Sequence, residues 1–353
     1  MTFHFAARTA LTLALALAAA LLCVWLQTPL PWMIGPLVAT ALASVLGAPT
    51  QSWGPLRNAG QWTIGTALGL YFTPQVTALV GTLWWAIALA VAWALGLGWL
   101  SGRWLQRSLE GRMPGTDQER RATSYFAGAI GGASEMTLLA ERVGGRTDLV
   151  AAAHSLRLLI VTLLIPFAFT YSGLHGLDAT LPGPRQVQWP GLALLALATG
   201  AGAWLMDKTG RANPWFMGAL LVAMGLTMTG TELSAVPQWL TNAAQLVIGV
   251  SLGVRFRAEF VHTAPRWLAS VAVGTVVMIA LCAGFASLLA WLTGLHPATL
   301  ILGTSPGGIA EMAITAKVLQ LGVPVVTAFQ VCRLVAVLVL VEPLYRRFYL
   351  RQP

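Results

Sequence analysis

Long apolar runs separated by short polar breaks dominate the chain. Runs at roughly 9 to 27, 31 to 47, 58 to 73, 76 to 100, 149 to 172, 190 to 206, 214 to 230, 239 to 254, 267 to 292 and 323 to 343 approach the length that crosses a ~30 Å hydrocarbon core. The pattern predicts an all-α polytopic membrane protein. Two further stretches, about 122 to 140 and 297 to 318, are apolar but interrupted. They carry Gly131-Gly132-Ala133-Ser134-Glu135-Met136 and Gly307-Gly308-Ile309-Ala310-Glu311-Met312. Paired glycines and a carboxylate are costly in an ordinary membrane helix.

These two motifs are the last of three blocks that recur in the same order. Pro31-Trp32-Met33-Ile34-Gly35 returns as Pro214-Trp215-Phe216-Met217-Gly218. Asn58-Ala59-Gly60-Gln61, with Ile64-Gly65 and Leu68-Gly69, returns as Asn242-Ala243-Ala244-Gln245, with Ile248-Gly249 and Leu252-Gly253. Glu135-Met136 is followed by Arg157, and Glu311-Met312 by Arg333, at the same separation. The order implies a duplicated module, 9–172 and 190–345, joined to its own preceding span in each half. Arg8 ahead of an apolar stretch ending in Ala18-Ala19-Ala20 has the look of a signal peptide. The run continues through Leu21 to Leu26 and the repeat needs this span, so retention is expected.

Composition and charge refine the topology. Of 353 residues, 57% are hydrophobic and 9% charged, which no single water-soluble core accommodates. The net charge of +9 comes from Arg and Lys in short loops beside apolar spans, a membrane-topology signal, and no segment is long enough for a nucleic-acid-reading domain. The longest inter-span segment, 101–121, is expected to be a cytoplasmic basic loop. If the two Gly-Gly segments enter and leave the membrane on one face, every loop Lys and Arg except Arg185 falls on the side of the N-terminus. If they cross, the division is 11 against 7, a poor bias. The expected architecture is therefore two inverted repeats of about five transmembrane helices, each with a re-entrant broken helix and with both termini cytoplasmic.

Broken backbone at membrane depth must be buried in protein or line a wet cavity. Its freed N–H groups and the positive end of a following half-helix suit an anion. The candidate substrate-binding set is Gly131, Gly132, Ser134, Glu135, Arg157, Thr304, Ser305, Gly307, Gly308, Glu311 and Arg333, with Asn58, Gln61, His154, Asn242, Gln245 and Gln330 as candidate cavity-lining residues. The carboxylates are compatible with titration, with cation ligation, or with pairing to Arg157 and Arg333; small residues that only ease helix packing are the plainer alternative for the glycines. His154 precedes Arg157 by one turn, as Gln330 precedes Arg333, and a satisfied hydrogen-bonding role is the plainer reading. Cys23, Cys282 and Cys332 show neither disulfide nor metal spacing and read as packing residues. The five histidines, His4, His154, His175, His262 and His296, form no metal-ligand pair, and no nucleophile elbow or P-loop occurs; neither a cofactor, a metal nor an enzymatic activity is expected.

Pro-Trp-x-x-Gly, Asn-Ala-x-Gln-x-x-Ile-Gly and Thr304-Ser305-Pro306-Gly307-Gly308-Ile309-Ala310-Glu311-Met312 with Arg333 are where a resemblance enters. The chain resembles the bacterial AbrB-type membrane proteins along nearly its whole length. The resemblance implies an inner-membrane protein of a family labelled as a regulator of gene expression and in places as an ammonia monooxygenase; the residues lend the second label no metal ligands. The first motif departs from the fuller pattern with Ala129-Ile130 in place of Ser305-Pro306. The expectation is a secondary transporter of a small anionic solute, with H+ or Na+ as candidate coupling ions. A membrane-located sensor acting on gene expression through a metabolite or partner is the alternative.

Overall fold

A computed structural model describes residues 3–109, 116–173, 176, 186–210, 213–256 and 265–350. Arg112, Arg185, Arg211, Arg257, Arg351, His175 and His262 lie outside the described residues. Every described element is helical: α1 Phe3–Trp25, α2 Pro31–Val45, α3 Gly54–Gly69, α4 Pro74–Thr82, α5 Trp84–Leu109, α6 Asp117–Gly128, α7 Ala133–Arg142, α8 Thr147–Ser172, α9 Trp189–Lys208, α10 Pro214–Met228, α11 Gln238–Gly253, α12 Pro265–Thr293, α13 Pro297–Thr304, α14 Ile309–Val318 and α15 Val323–Tyr345. A π-helical turn, Arg346–Leu350, follows.

Six described helices are long and apolar enough to cross a membrane: α1, α5, α8, α9, α12 and α15. Their outer faces carry Trp25 at 78%, Leu197 at 72% and Trp291 at 80% exposure, side chains that a hydrocarbon surrounding suits and water does not. The remaining expected spans form as helices but are shorter, with 15 residues each in α2 and α10 and 16 each in α3 and α11. At ~1.5 Å per residue these reach only about 24 Å. Two expectations are corrected. The run 76–100 is two helices, α4 and α5, with Leu83 between them. The segment 101–121 is largely not loop: Ser101 to Leu109 continue α5, and Asp117 opens α6 behind an N-cap in which the Thr116 hydroxyl accepts from Glu119 N–H.

The chain forms two compact units, each drawn from both sequence repeats. One comprises 1–81, 165–259 and 313–324, the other 82–164, 260–312 and 325–353.

In the first unit the repeat becomes a matched set of close backbone approaches. A Cβ on Gly35 of α2 would meet the Ala19 carbonyl of α1, as one on Gly218 of α10 would meet the Gly202 carbonyl of α9. Likewise Gly65 and Gly69 of α3 lie against the Phe216 and Leu220 carbonyls of α10, and Gly249 and Gly253 of α11 against those of Met33 and Leu37 in α2. The ascending register makes α3 parallel to α10 and α11 parallel to α2. Gly60 touches Ala244, its own counterpart in the repeat motif, so α3 and α11 cross there. Even the entry turns match: Leu30 and Asn213, just before Pro31 and Pro214, both sit left-handed at φ 49 and 47. Asn tolerates that conformation; Leu30 is held in it by burial.

The second unit contains both Gly-Gly breaks, with the first broken segment whole and the second as far as Met312. Helices α5 and α12, each the long span ahead of a break, run antiparallel: Trp93 stacks on Phe285 at 4.7 Å, and Trp104 Nε1 donates to the Ser270 carbonyl at 3.4 Å. Against α6, α5 packs through Gly98 on Ala129 and Gly102 on Tyr125. Tyr125 and Phe126 of α6 pack with Tyr345 in a core that also takes in Val150 and Ala153 of α8 and Val337 and Val341 of α15.

Candidate functional site

Both broken segments take the same backbone course despite different sequences. Helix α6 ends at Ala129 (φ −56, ψ 142) and α13 at Ser305 (φ −61, ψ 147). In the second copy Pro306 enforces this, because a residue before proline is driven out of the helical region. The first copy has no proline. Its extended Ala129 is held by Arg157, whose Nη1 donates to the Ala129 carbonyl at 2.7 Å. Arg333 makes the equivalent bond to the Ser305 carbonyl, so the arginine contact is common to both copies and the proline is an addition in the second.

A helix end leaves its last four carbonyls without partners inside the helix. At the end of α6 these are Phe126, Ala127, Gly128 and Ala129, since Ala129 N–H still bonds Tyr125. All four are met by two side chains of α8. His154 Nε2 donates to Phe126 at 2.9 Å, and Arg157 covers Ala127, Gly128 (3.4 Å) and Ala129. The second copy repeats the device from α15. Gln330 Nε2 donates to Leu302 at 2.6 Å and Ser305 at 3.1 Å, and Arg333 donates to Ser305 at 2.5 Å and Gly307 at 2.8 Å. Thr304 takes the thiol of Cys282 at 3.4 Å. His154 and Gln330 thus present the same N–H at the same place, which supports the hydrogen-bonding reading of His154.

The glycine pairs are explained by what lies over them. A Cβ on Gly131 would meet the Met136 side chain at 2.8 Å, and one on Gly307 the Met312 side chain at 2.8 Å. On Gly132 and Gly308 it would collide with the carboxylates of Glu135 and Glu311. Gly132 is the N-cap of α7, and Gly308 directly precedes α14, so each Glu folds back over the start of its own half-helix. A carboxylate in the first turn complements the positive helix end and the unpaired N–H groups there. Pairing of Glu135 with Arg157 and of Glu311 with Arg333, the simplest expectation, gives way to a different division. Each arginine closes the carbonyl end of one half-helix, and each glutamate covers the amide end of the next.

Arg157 and Arg333 are 3% and 6% exposed. Among the described residues, Nε of each, and Oε1 of Gln330, are buried without a hydrogen-bond partner. The hydroxyls of Thr304 and Ser305 turn back to Leu300 and Ile301 of their own helix and are not offered to a ligand. The Ser134 side chain lies outside the described residues. Asn58, Gln61, Asn242 and Gln245 belong to the first unit: Gln61 reaches Asn213 at 3.5 Å, Asn58 accepts from Arg57 at 3.4 Å, Asn242 accepts from Gln238 at 2.9 Å, and Gln245 is buried. Sequence reading missed Cys282 as a carbonyl partner; a lone cysteine in an apolar run carries no signal of it.

Comparison with known proteins supplies the family. Residues 32–349 match the family model described as "Transition state regulatory protein AbrB". The chain is 30% identical over 351 residues to "Uncharacterized protein YhjN" of Bacillus subtilis (strain 168), covering 89% of this chain and 86% of that protein. It is 26% identical over 329 residues to "Putative regulator AbrB" of Escherichia coli (strain K12), covering 91% and 90%. With its paired broken helices and its run of apolar spans, the chain belongs to the AbrB family.

Proposed function

We propose that the chain is a secondary transporter of a small anionic solute, working in a bacterial inner membrane with both termini cytoplasmic and with the broken helices of the second unit as its binding centre. The observation that carries this is that each break holds a buried guanidinium, Arg157 in the first and Arg333 in the second, with an Nε–H that no described group accepts. A buried positive charge in a low-dielectric interior favours an anion beside it, and a guanidinium edge matches a carboxylate or other oxyanion. Broken helices facing one another within inverted repeats are the recurrent architecture of such transporters.

Several geometric facts support inversion and re-entrance. Repeat-equivalent α5 and α12 run antiparallel, and α3 runs parallel to α10, the counterpart of the helix that precedes it. The chain leaving α7 comes back beside the middle of α6, where its apolar part begins and Arg146 N–H donates to Thr123 Oγ1 at 2.9 Å, in keeping with a segment that enters and leaves on one face. Glu135 and Glu311 remain the candidates for proton coupling, because a cap carboxylate is lost on protonation. The competing reading is a membrane sensor, favoured by the name of the Escherichia coli relative, "Putative regulator AbrB".

Purified protein screened by thermal shift against organic acids, amino acids and inorganic ions should be stabilised by a small anion. Proteoliposomes should then accumulate that anion, and Arg333→Lys should weaken both effects. Binding without movement would favour the sensor, and stabilisation only by uncharged or cationic compounds would refute the anion site.

A further inference from the structure

Carbonyls released where a helix unwinds in a membrane protein are the common ligands of a coupling cation such as Na+. Here a side chain of the protein holds them. Arg157 gathers the carbonyls of Ala127, Gly128 and Ala129, and Arg333 those of Ser305 and Gly307. His154 and Gln330 take the neighbouring Phe126 and Leu302 carbonyls, so the end of α6 has no orphan carbonyl left over. The guanidinium remains charged at any pH a membrane meets, and its planar fork suits several carbonyls at once.

We propose that Arg157 and Arg333 are built-in monocations that permanently fill the two carbonyl cradles, so that neither break takes up an alkali-metal ion and the solute moves without sodium coupling. The clause about coupling rests on the transport reading; the clause about the cradles is a statement about binding and stands by itself. A Na+ about 4 Å from a fixed guanidinium, at the effective dielectric of a protein interior, would bind on the order of a thousandfold more weakly than in the same cradle without the arginine. Of the candidate coupling ions, this leaves the proton.

The test uses the full chain in detergent. Wild-type melting temperature is measured in NaCl, LiCl, KCl and choline chloride at equal ionic strength, together with equilibrium binding of radioactive Na+. The expected result is one melting temperature in all four salts and no saturable Na+ binding; saturable, sodium-specific stabilisation of the wild type would overturn the proposal. Arg157→Ala and Arg333→Ala empty one cradle each. They should melt lower and regain part of the loss with millimolar guanidinium ion, at concentrations where urea gives no recovery. A folded variant that responds to neither guanidinium nor Na+ would overturn the view of these carbonyls as a cation cradle. Should an alanine variant fail to fold, Arg333→Lys keeps the charge and should remain insensitive to Na+, and the wild-type measurement decides by itself. If no solute is ever transported, the transport reading fails while the cation result still stands.

Discussion

Replacing Gly308 by alanine isolates the contact between the glycine pair and its glutamate. The added Cβ would meet Glu311 alone among its nearest neighbours, striking the carboxylate with Cδ at 2.8 Å and Oε1 at 3.3 Å. The backbone there is not left-handed, so alanine brings no conformational strain. The penalty must come from displacing the carboxylate. Glu311 is 7% exposed. Losing its place at the helix start costs up to about 2 kcal/mol in a partly buried setting, and leaving it poorly satisfied in the interior adds about 1 to 3 kcal/mol. The expected destabilisation is thus roughly 2 to 4 kcal/mol. In a Glu311→Ala background the same Gly308→Ala change loses its three nearest contacts and should be neutral or stabilising by about 0.4 to 1 kcal/mol, through the unfolded chain. Reversible unfolding of the four proteins in mixed SDS and mild detergent gives the coupling energy directly. Equal destabilisation with and without Glu311 would refute the cap and return the glycines to a simple helix-packing role. At Gly132 the same cycle should give a smaller coupling, about 0.5 to 2 kcal/mol, because Glu135 is only partly buried and can swing aside.

Three further outcomes are expected. His154→Gln should change stability by less than about 0.5 kcal/mol, since Gln330 performs the same task in the other copy, whereas His154→Leu strands the Phe126 carbonyl and should cost about 1 to 3 kcal/mol in the same unfolding assay. Gly65→Ala and Gly249→Ala each drive a methyl into a carbonyl of the facing helix and should cost similar amounts, about 1 to 3 kcal/mol; a large disparity would argue against equivalent packing of the two copies. Thr147→Cys and Gln320→Cys should be labelled by a membrane-impermeant thiol reagent from opposite faces of the membrane, and labelling of both from one face would end the proposed inverted arrangement.

Much of this arrangement is legible along the chain, because hydrophobic length and repeated motifs are local properties. The breaks fall where the Gly-Gly pairs and Pro306 put them, and the equivalence of His154 with Gln330 can be read from spacing alone. The partners of Arg157, Arg333, Glu135 and Glu311 cannot. Opposite charges at matched separation suggest pairing. Sequence does not display the competing ligands, which are the carbonyls and amides that every residue has and only a broken helix exposes. The same blindness hid the division of 76–100 into α4 and α5, where a continuous apolar run gives no mark of a turn, and the helical character of most of 101–121, where charge resembles a loop.

By itself, then, the sequence determined that the chain is helical, apolar enough for a membrane, marked by three motifs that recur in the same order, and interrupted at the last motif of each set. Those features follow from composition and periodicity, which need no long-range contact. Only the tertiary structure decided that the repeats are redistributed into two compact units, that glycine faces in α3 and α11 are seats for the carbonyls of α10 and α2, and that each break is closed by an arginine at its carbonyl end and a glutamate at its amide end. The physical reason is that unpaired backbone groups are anonymous in a sequence. They acquire partners only when helices distant along the chain are brought within hydrogen-bond reach.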